Sequence, residues 1–125
     1  MKTETGEWVD KAEGDLKVAL REAQAADAVY NVICFLAQQC AEKYLKAFLE
    51  EQNITFQKTH DLLLLLNLSG GLLAELGDHR EQLARLSAFG IAARYPGVQA
   101  DRQAAEESIK ITAEVRLIVR AKLGL

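Results

Sequence analysis

Proline is nearly absent from this chain, with Pro96 alone among 125 residues, and glycine is scarce at eight. Both disfavour helix interiors, proline by removing a donor and clashing with the preceding turn, glycine through backbone entropy. Their scarcity, beside abundant Ala and Leu, biases the composition toward helix. No stretch alternates with period two for long enough to make a strand. Cysteine is limited to Cys34 and Cys40. Both fall in a segment that reads as helix, where ~100° per residue sends them in well-separated directions with no turn to reunite them. They do not pair there, and free buried thiols suit a reducing cytosol. No Cys/His spacing of the zinc type occurs, so neither metal nor cofactor is expected. No apolar run reaches the ~18–20 residues that span a bilayer, and the polar start Met1-Lys2-Thr3-Glu4 is no signal peptide. A basic excess is lacking too: net charge is −3, which argues against broad polyanion binding but leaves room for a local basic patch. A soluble, cytoplasmic protein of one domain over residues 1–125 is expected.

What the chain has is helical period. Half of it is apolar, enough for one continuous core. Trp8, Ala12, Leu16, Ala19, Leu20 and Ala23 recur at three- and four-residue steps, predicting an amphipathic helix from about Thr5 to Ala25. From about Asp27 to Gln52 two adjacent apolar ridges appear. The polar residues Asn31, Gln38, Gln39, Glu42, Lys43, Lys46 and Glu50 are confined to an arc of roughly 140°. So wide an apolar surface predicts the central helix of a bundle. After a linker over 53–58, Thr59 stands in N-cap position before His60-Asp61 and the leucine run 62–66. Five consecutive leucines have no amphipathic period, so this short helix must be largely buried core and not a zipper seam. Ser69-Gly70-Gly71 ends it. Another helical stretch runs from about Leu72 to Phe89, with an interruption near Gly77-Asp78. Residues 90–97 read as an irregular connection. The last helix starts near the N-cap Asp101 and runs to about Lys122. Its inner face is Ala104, Ser108, Ile111, Val115 and Ile118, with Glu106 and Lys110 as an i,i+4 pair. The sum is an all-α, up-and-down antiparallel bundle of about five helices.

Four strings in order and spacing then carry a resemblance. They are Trp8 with Lys11-Ala12 and Asp15-Leu16, the run from Cys34 through Gln38-Gln39, Glu42-Lys43 and Lys46-Ala47, Lys58-Thr59-His60-Asp61-Leu62, and Ala93-Arg94-Tyr95-Pro96-Gly97. Together, over nearly the whole chain, they resemble the HEPN family. The resemblance implies a helical bundle that commonly forms homodimers. It also implies pairing with a minimal nucleotidyltransferase in a toxin–antitoxin-like module, and in many relatives a metal-independent endoribonuclease. The ribonuclease members carry an Arg followed four to six residues later by His. Neither His60 nor His79 has an Arg at that spacing, and no His follows Arg94. Leu36 stands where the family often has His. Metal-free RNA cleavage needs a base for the 2′-hydroxyl and a cation for the phosphorane, and here the imidazole is out of place.

Each candidate site residue has two readings. Asp61 could orient His60 at a helix start that favours anions. Alternatively, Thr59 and Asp61 cap the helix while His60 bonds to the central one; capping accounts for Thr59 and Asp61 outright. Arg94 could hold a phosphate with Tyr95 stacked on a base, or Arg94 pairs with Glu42 or a nearby carboxylate while Tyr95 packs over the bundle end. Gln39, Lys43 and Lys46 could line a cleft with His60 and Arg94, or form a solvated face. Arg116 and Arg120 read as a solvated helix end or a contact for a partner's acidic surface, and Trp8 as a core or dimer anchor. Three functions follow: a dimeric partner of a nucleotidyltransferase that touches nucleotide or RNA, a ribonuclease using His60 with Arg94, or a purely structural homodimer.

Overall fold

The computed structural model describes residues 1–125 and is all-helical: α1 (Thr3–Ala23), α2 (Tyr30–Glu51), α3 (Leu62–Leu68), a 3₁₀ segment Ala74–His79, α4 (Arg80–Ala92) and α5 (Arg102–Leu123). α2 is the axis of the bundle. Tyr44, Leu45 and Leu49 are fully enclosed, and α2 packs against every other α-helix. Side-chain pairing fixes the directions. Lys2 and Thr5 meet Glu51 while Asp15 meets Lys43, so α1 runs antiparallel to α2. Arg94 lies on Phe35 and Gly90 abuts Gln38, so α4 does the same. Asn31 binds the backbone of Val98 and Ala100, Thr112 donates to the Ala37 carbonyl and Arg120 reaches Tyr44, so α5 runs parallel to α2. The up-and-down order read from the sequence is the order found.

Helix ends follow local chemistry, and several expected boundaries move. The Asp61 carboxylate accepts from the Leu63 and Leu64 amides and caps α3. Thr59, expected as the N-cap, instead accepts from the Asp61 amide and shapes the turn leading to the cap. Asp101 caps α5 through the Ala104 amide at 2.8 Å. Gly124 closes the same helix at φ 79°, a left-handed conformation that suits glycine. α2 ends where Asn53 takes φ 58°, letting the Ile54 amide reach back to the Leu49 carbonyl. α4 continues through Gly90 to Ala92, past the expected stop at Phe89, because Gly90 packs against α2. A side chain there would meet Gln38: a Cβ would lie 2.5 Å from its Cγ.

The leucine run is buried at Leu62, Leu65 and Leu66 and half-buried at Leu63 and Leu64. Leu20 and Ala23, expected on the core face of α1, are not buried; Leu20 turns to solvent, and Ala23 borders an open groove shared with Tyr30, Ile33 and Ala105. On α5 Val119 takes the buried place and Ile118 is half-covered. Glu106 and Lys110 form no ion pair. Cys34 and Cys40 are free and buried, and burial pushes the Cys40 thiol up to about 12. No helix is long and apolar enough to cross a membrane.

Candidate functional site

The polar arc of α2 is where sequence and structure part. A solvated face is one expectation for it, yet Gln38, Glu42 and Lys46 are all buried. They stand at i, i+4 and i+8, on one stripe of the helix. α4 covers that stripe at one end, the connection carrying His60 covers its middle, and Trp8 with Phe56 covers the other end.

Glu42 is the hub. Its side chain is 5% exposed and accepts from three donors: His60 Nδ1 at 2.8 Å, Gln38 Nε2 at 3.1 Å and Lys46 Nζ at 3.0 Å. Burial alone would raise its pKa. The hydrogen bonds from His60, Lys46 and Gln38 more than offset that, and the net displacement is downward. Glu42 is therefore ionised at neutral pH, as hydrogen bonding to the charged form requires. An ionised carboxylate only accepts, so His60 Nδ1 carries the proton. Nε2 is left as the free nitrogen on a side chain that is half exposed.

The other members extend the hub. Gln38 also donates to the His60 carbonyl at 3.0 Å and accepts from Gln39 Nε2 at 2.8 Å, so both ends of its amide are used. Lys46 Nζ lies 5.5 Å from the Trp8 ring centre and 6.0 Å from that of Phe56, and those two rings meet edge-on. The ammonium is thus held by a carboxylate on one side and π-faces on the other.

His60, Lys46 and, through Gln38, Gln39 therefore converge. Lys43 does not. It lies on the neighbouring flank of α2 and is paired with Asp15 of α1, because one residue of helix turns a side chain by ~100°. Arg94 does not join the hub either. Its guanidinium stacks on Phe35, 4.9 Å from the ring centre, and makes none of the carboxylate contacts expected of it. Phe35 and Glu42 are seven residues apart, about 10 Å along the axis at ~1.5 Å each. Tyr95 packs over nothing and is 63% exposed, since the connection carries it past the end of α4. Asp61 commits its carboxylate to the α3 cap and does not orient His60; Glu42 does.

Two features escape a reading of the sequence. Glu42 groups there with solvated residues, although Gln and Lys four residues to either side of a carboxylate, on a helix apolar elsewhere, are the pattern of a buried network. Glu13 does not stand out at all. It takes the Arg116 guanidinium in two-pronged fashion, with Nη2 at 2.7 Å, and Arg120 Nη1 at 3.1 Å. These arginines are a clamp between α1 and α5, not a free helix end. The hydrogen bonds from Arg116 hold the Glu13 carboxyl below its ordinary range.

The chain is thus an all-α bundle built round a buried helix, with a Gln–Glu–Lys stripe answered by a histidine from the α2–α3 connection. The HEPN domain family model matches residues 5–122, and the chain belongs to that family. Its structure is similar to the crystal structure of TT1696 from Thermus thermophilus, with a TM-score of 0.83 and 23% identity over 97% of this chain and 99% of that one. That likeness is one of fold. Comparison with curated proteins gives no match.

Proposed function

We propose that the chain is a protein-interaction module: a homodimer that partners a minimal nucleotidyltransferase in a toxin–antitoxin-like pair. The observation that carries this reading is the surface around the Phe35–Arg94 stack. Val29 and Val32 at the start of α2, Ile91 of α4, and Tyr95 and Val98 beyond it are all exposed. Val32 stands three residues before Phe35 and Ile91 three before Arg94, and the Asn31–Val98 hydrogen bond holds the connection in place. Aromatic and arginine side chains amid aliphatic ones are the composition of interface centres. The hub and its flank favour the same reading, because Lys46 and His60 already face Glu42 and Lys43 already faces Asp15. Contact with a nucleotide or RNA phosphate then falls to Arg94, whose guanidinium meets the Phe35 ring and no carboxylate.

Sedimentation tests it directly. The chain of 13.8 kDa is expected at twice its mass at micromolar concentration, and Val32→Asp with Tyr95→Asp as a monomer of unchanged helicity. A wild-type monomer at that concentration rules the reading out. Co-expression with a small nucleotidyltransferase encoded beside it is expected to yield a stable complex.

One observation favours an enzyme as the second reading. Glu42, His60 and the free Nε2 have the orientation of a general base with its carboxylate partner. Labelled tRNA and mRNA, incubated with the wild type, His60→Ala and Arg94→Ala, separate the two. Equal background cleavage by all three ends the ribonuclease reading.

A further inference from the structure

α5 carries an apolar ridge that nothing in the chain covers. At ~100° per residue Glu106, Ile109, Leu117 and Arg120 fall within about 40° of Ala113, on the side opposite the buried Ala104, Ile111 and Val115. Leu117 is 64% exposed, more than any other large apolar side chain of the molecule. Ile109, Ala113 and Leu117 make one i, i+4, i+8 row, the kind of ridge by which helices pack on one another. Leu20 of α1, exposed as well, stands seven residues after Glu13 and so on the flank of α1 that meets α5. Beside Ile109 the ridge opens into a groove of about 200 Å³ walled by Ala23, Ala28, Ile33 and Ala105.

The charges on this face are ordered about Ala113. Glu106, seven residues before it, is exposed and forms no ion pair. Arg120, seven residues after it, uses Nη1 on Glu13 and the Tyr44 hydroxyl, which leaves the other donors of its guanidinium free. Lys110 and Arg116 stand three residues to either side, and the Arg116 charge is already met by Glu13 in two-pronged fashion. A second copy laid antiparallel, with a twofold axis at Ala113, sets residues equidistant from the axis at the same height. Glu106 then stands level with Arg120 of the second copy and Ile109 with its Leu117, and symmetry makes each contact twice. A parallel copy would set Glu106 beside Glu106 and Arg120 beside Arg120, and like charges so placed are costly.

We propose that the outer face of α5 is a second self-association surface, on which two copies pair antiparallel about Ala113 with Leu117 of each seated beside Ile109 of the other. It shares no residue with the Phe35–Arg94 surface, so either can fail without the other. One helix and the flank of a second make a contact at the small end of specific interfaces, and association is expected at about 0.1–1 mM chain.

Val32→Asp/Tyr95→Asp isolates this face, because both changes lie on the other surface. Its sedimentation mass is expected to double as concentration rises into that range. Adding Leu117→Asp, at a solvent-facing position, abolishes the doubling. Register is read by cysteines in the same background under oxidised glutathione; Cys34 and Cys40 are buried and do not compete. Ala113→Cys lies on the axis, where packed helices bring the two Cα atoms within disulfide reach, and is expected to crosslink. Glu106→Cys lies ~10 Å along the helix from the axis, hence ~20 Å from its mate, and is expected not to. The proposal is overturned by a mass that stays single throughout, by doubling that survives Leu117→Asp, or by Glu106→Cys crosslinking as readily as Ala113→Cys. A mass that never doubles while Leu117→Asp releases a co-expressed nucleotidyltransferase also overturns it and gives the face to that partner.

Discussion

Glu42 holds three donors at once, those of Gln38 and Lys46 buried, and its removal strands the Lys46 ammonium. Breaking a buried ion pair by deleting one member typically costs about 3–5 kcal/mol. Glu42→Ala is expected to lose stability in that range by urea denaturation. His60→Ala removes a half-exposed ring from an otherwise intact network and is expected to cost about 1 kcal/mol. If the two variants lose equally little, the hub is not a closed network. At this scale the sequence is legible only in part. Residue types and helical phase put Gln38, Glu42 and Lys46 on one stripe correctly. Whether a stripe faces water depends on what packs over it, and that comes from His60, Trp8 and Phe56, each distant in sequence. The same reason hides Asp15 as the partner of Lys43 and Glu13 as the partner of Arg116.

Elements report local chemistry more faithfully. Asp101 is recognisable as a cap because an aspartate preceding a periodic apolar run has one favoured use. At α3 the choice between Thr59 and Asp61 is close, and register decides it: only Asp61 stands at the distance that brings its carboxylate to the Leu63 and Leu64 amides. Asp61→Ala is expected to cost about 1 kcal/mol and to speed amide exchange in the first turn of α3 while leaving Glu42 ionised. Exchange rates unchanged at 62–65 would contradict the cap. Gly90 reads as a break, yet it lies inside α4 and serves close packing. Gly90→Ala pushes a methyl group into the Gln38 side chain. An overpacking loss of about 1–3 kcal/mol is expected, visible as a lower thermal midpoint and as shifts at the His60 ring, because Gln38 also holds the His60 carbonyl. A midpoint equal to the wild type would show that α4 can slide away without cost.

Across the whole molecule four carboxylates are depressed, Glu51 and Glu75 at the surface, Glu13 half-buried and Glu42 buried on different sides of α2. Glu13 closes the α1–α5 seam and Glu42 the face toward α3 and α4, and both titrate below the ordinary value of 4.5. A carboxyl with a lowered folded pKa contributes stability that is complete above its unfolded pKa and lost as pH falls through the folded one. The contribution of this pair is therefore constant from pH 7 to about 5 and declines below about 4.5. Thermal midpoints measured from pH 7 to 3 are expected to fall more steeply in the wild type than in Glu13→Gln/Glu42→Gln; parallel curves would contradict the assignment. The fold itself is readable because its signals are redundant. Three long periodic segments, two caps and a leucine-rich helix all ask for the same bundle. The site is less readable because it depends on which faces meet.

The position of Trp8 gives this chain a reporter of its own. It is the single indole in the sequence, and it lies against the Lys46 ammonium that leans on Glu42. Its emission therefore senses the electrostatics of the hub without any added dye. Loss of the ammonium in Lys46→Met is expected to move the emission maximum, whereas Ser108→Ala, on α5 and outside the hub, is expected to leave the spectrum where it was.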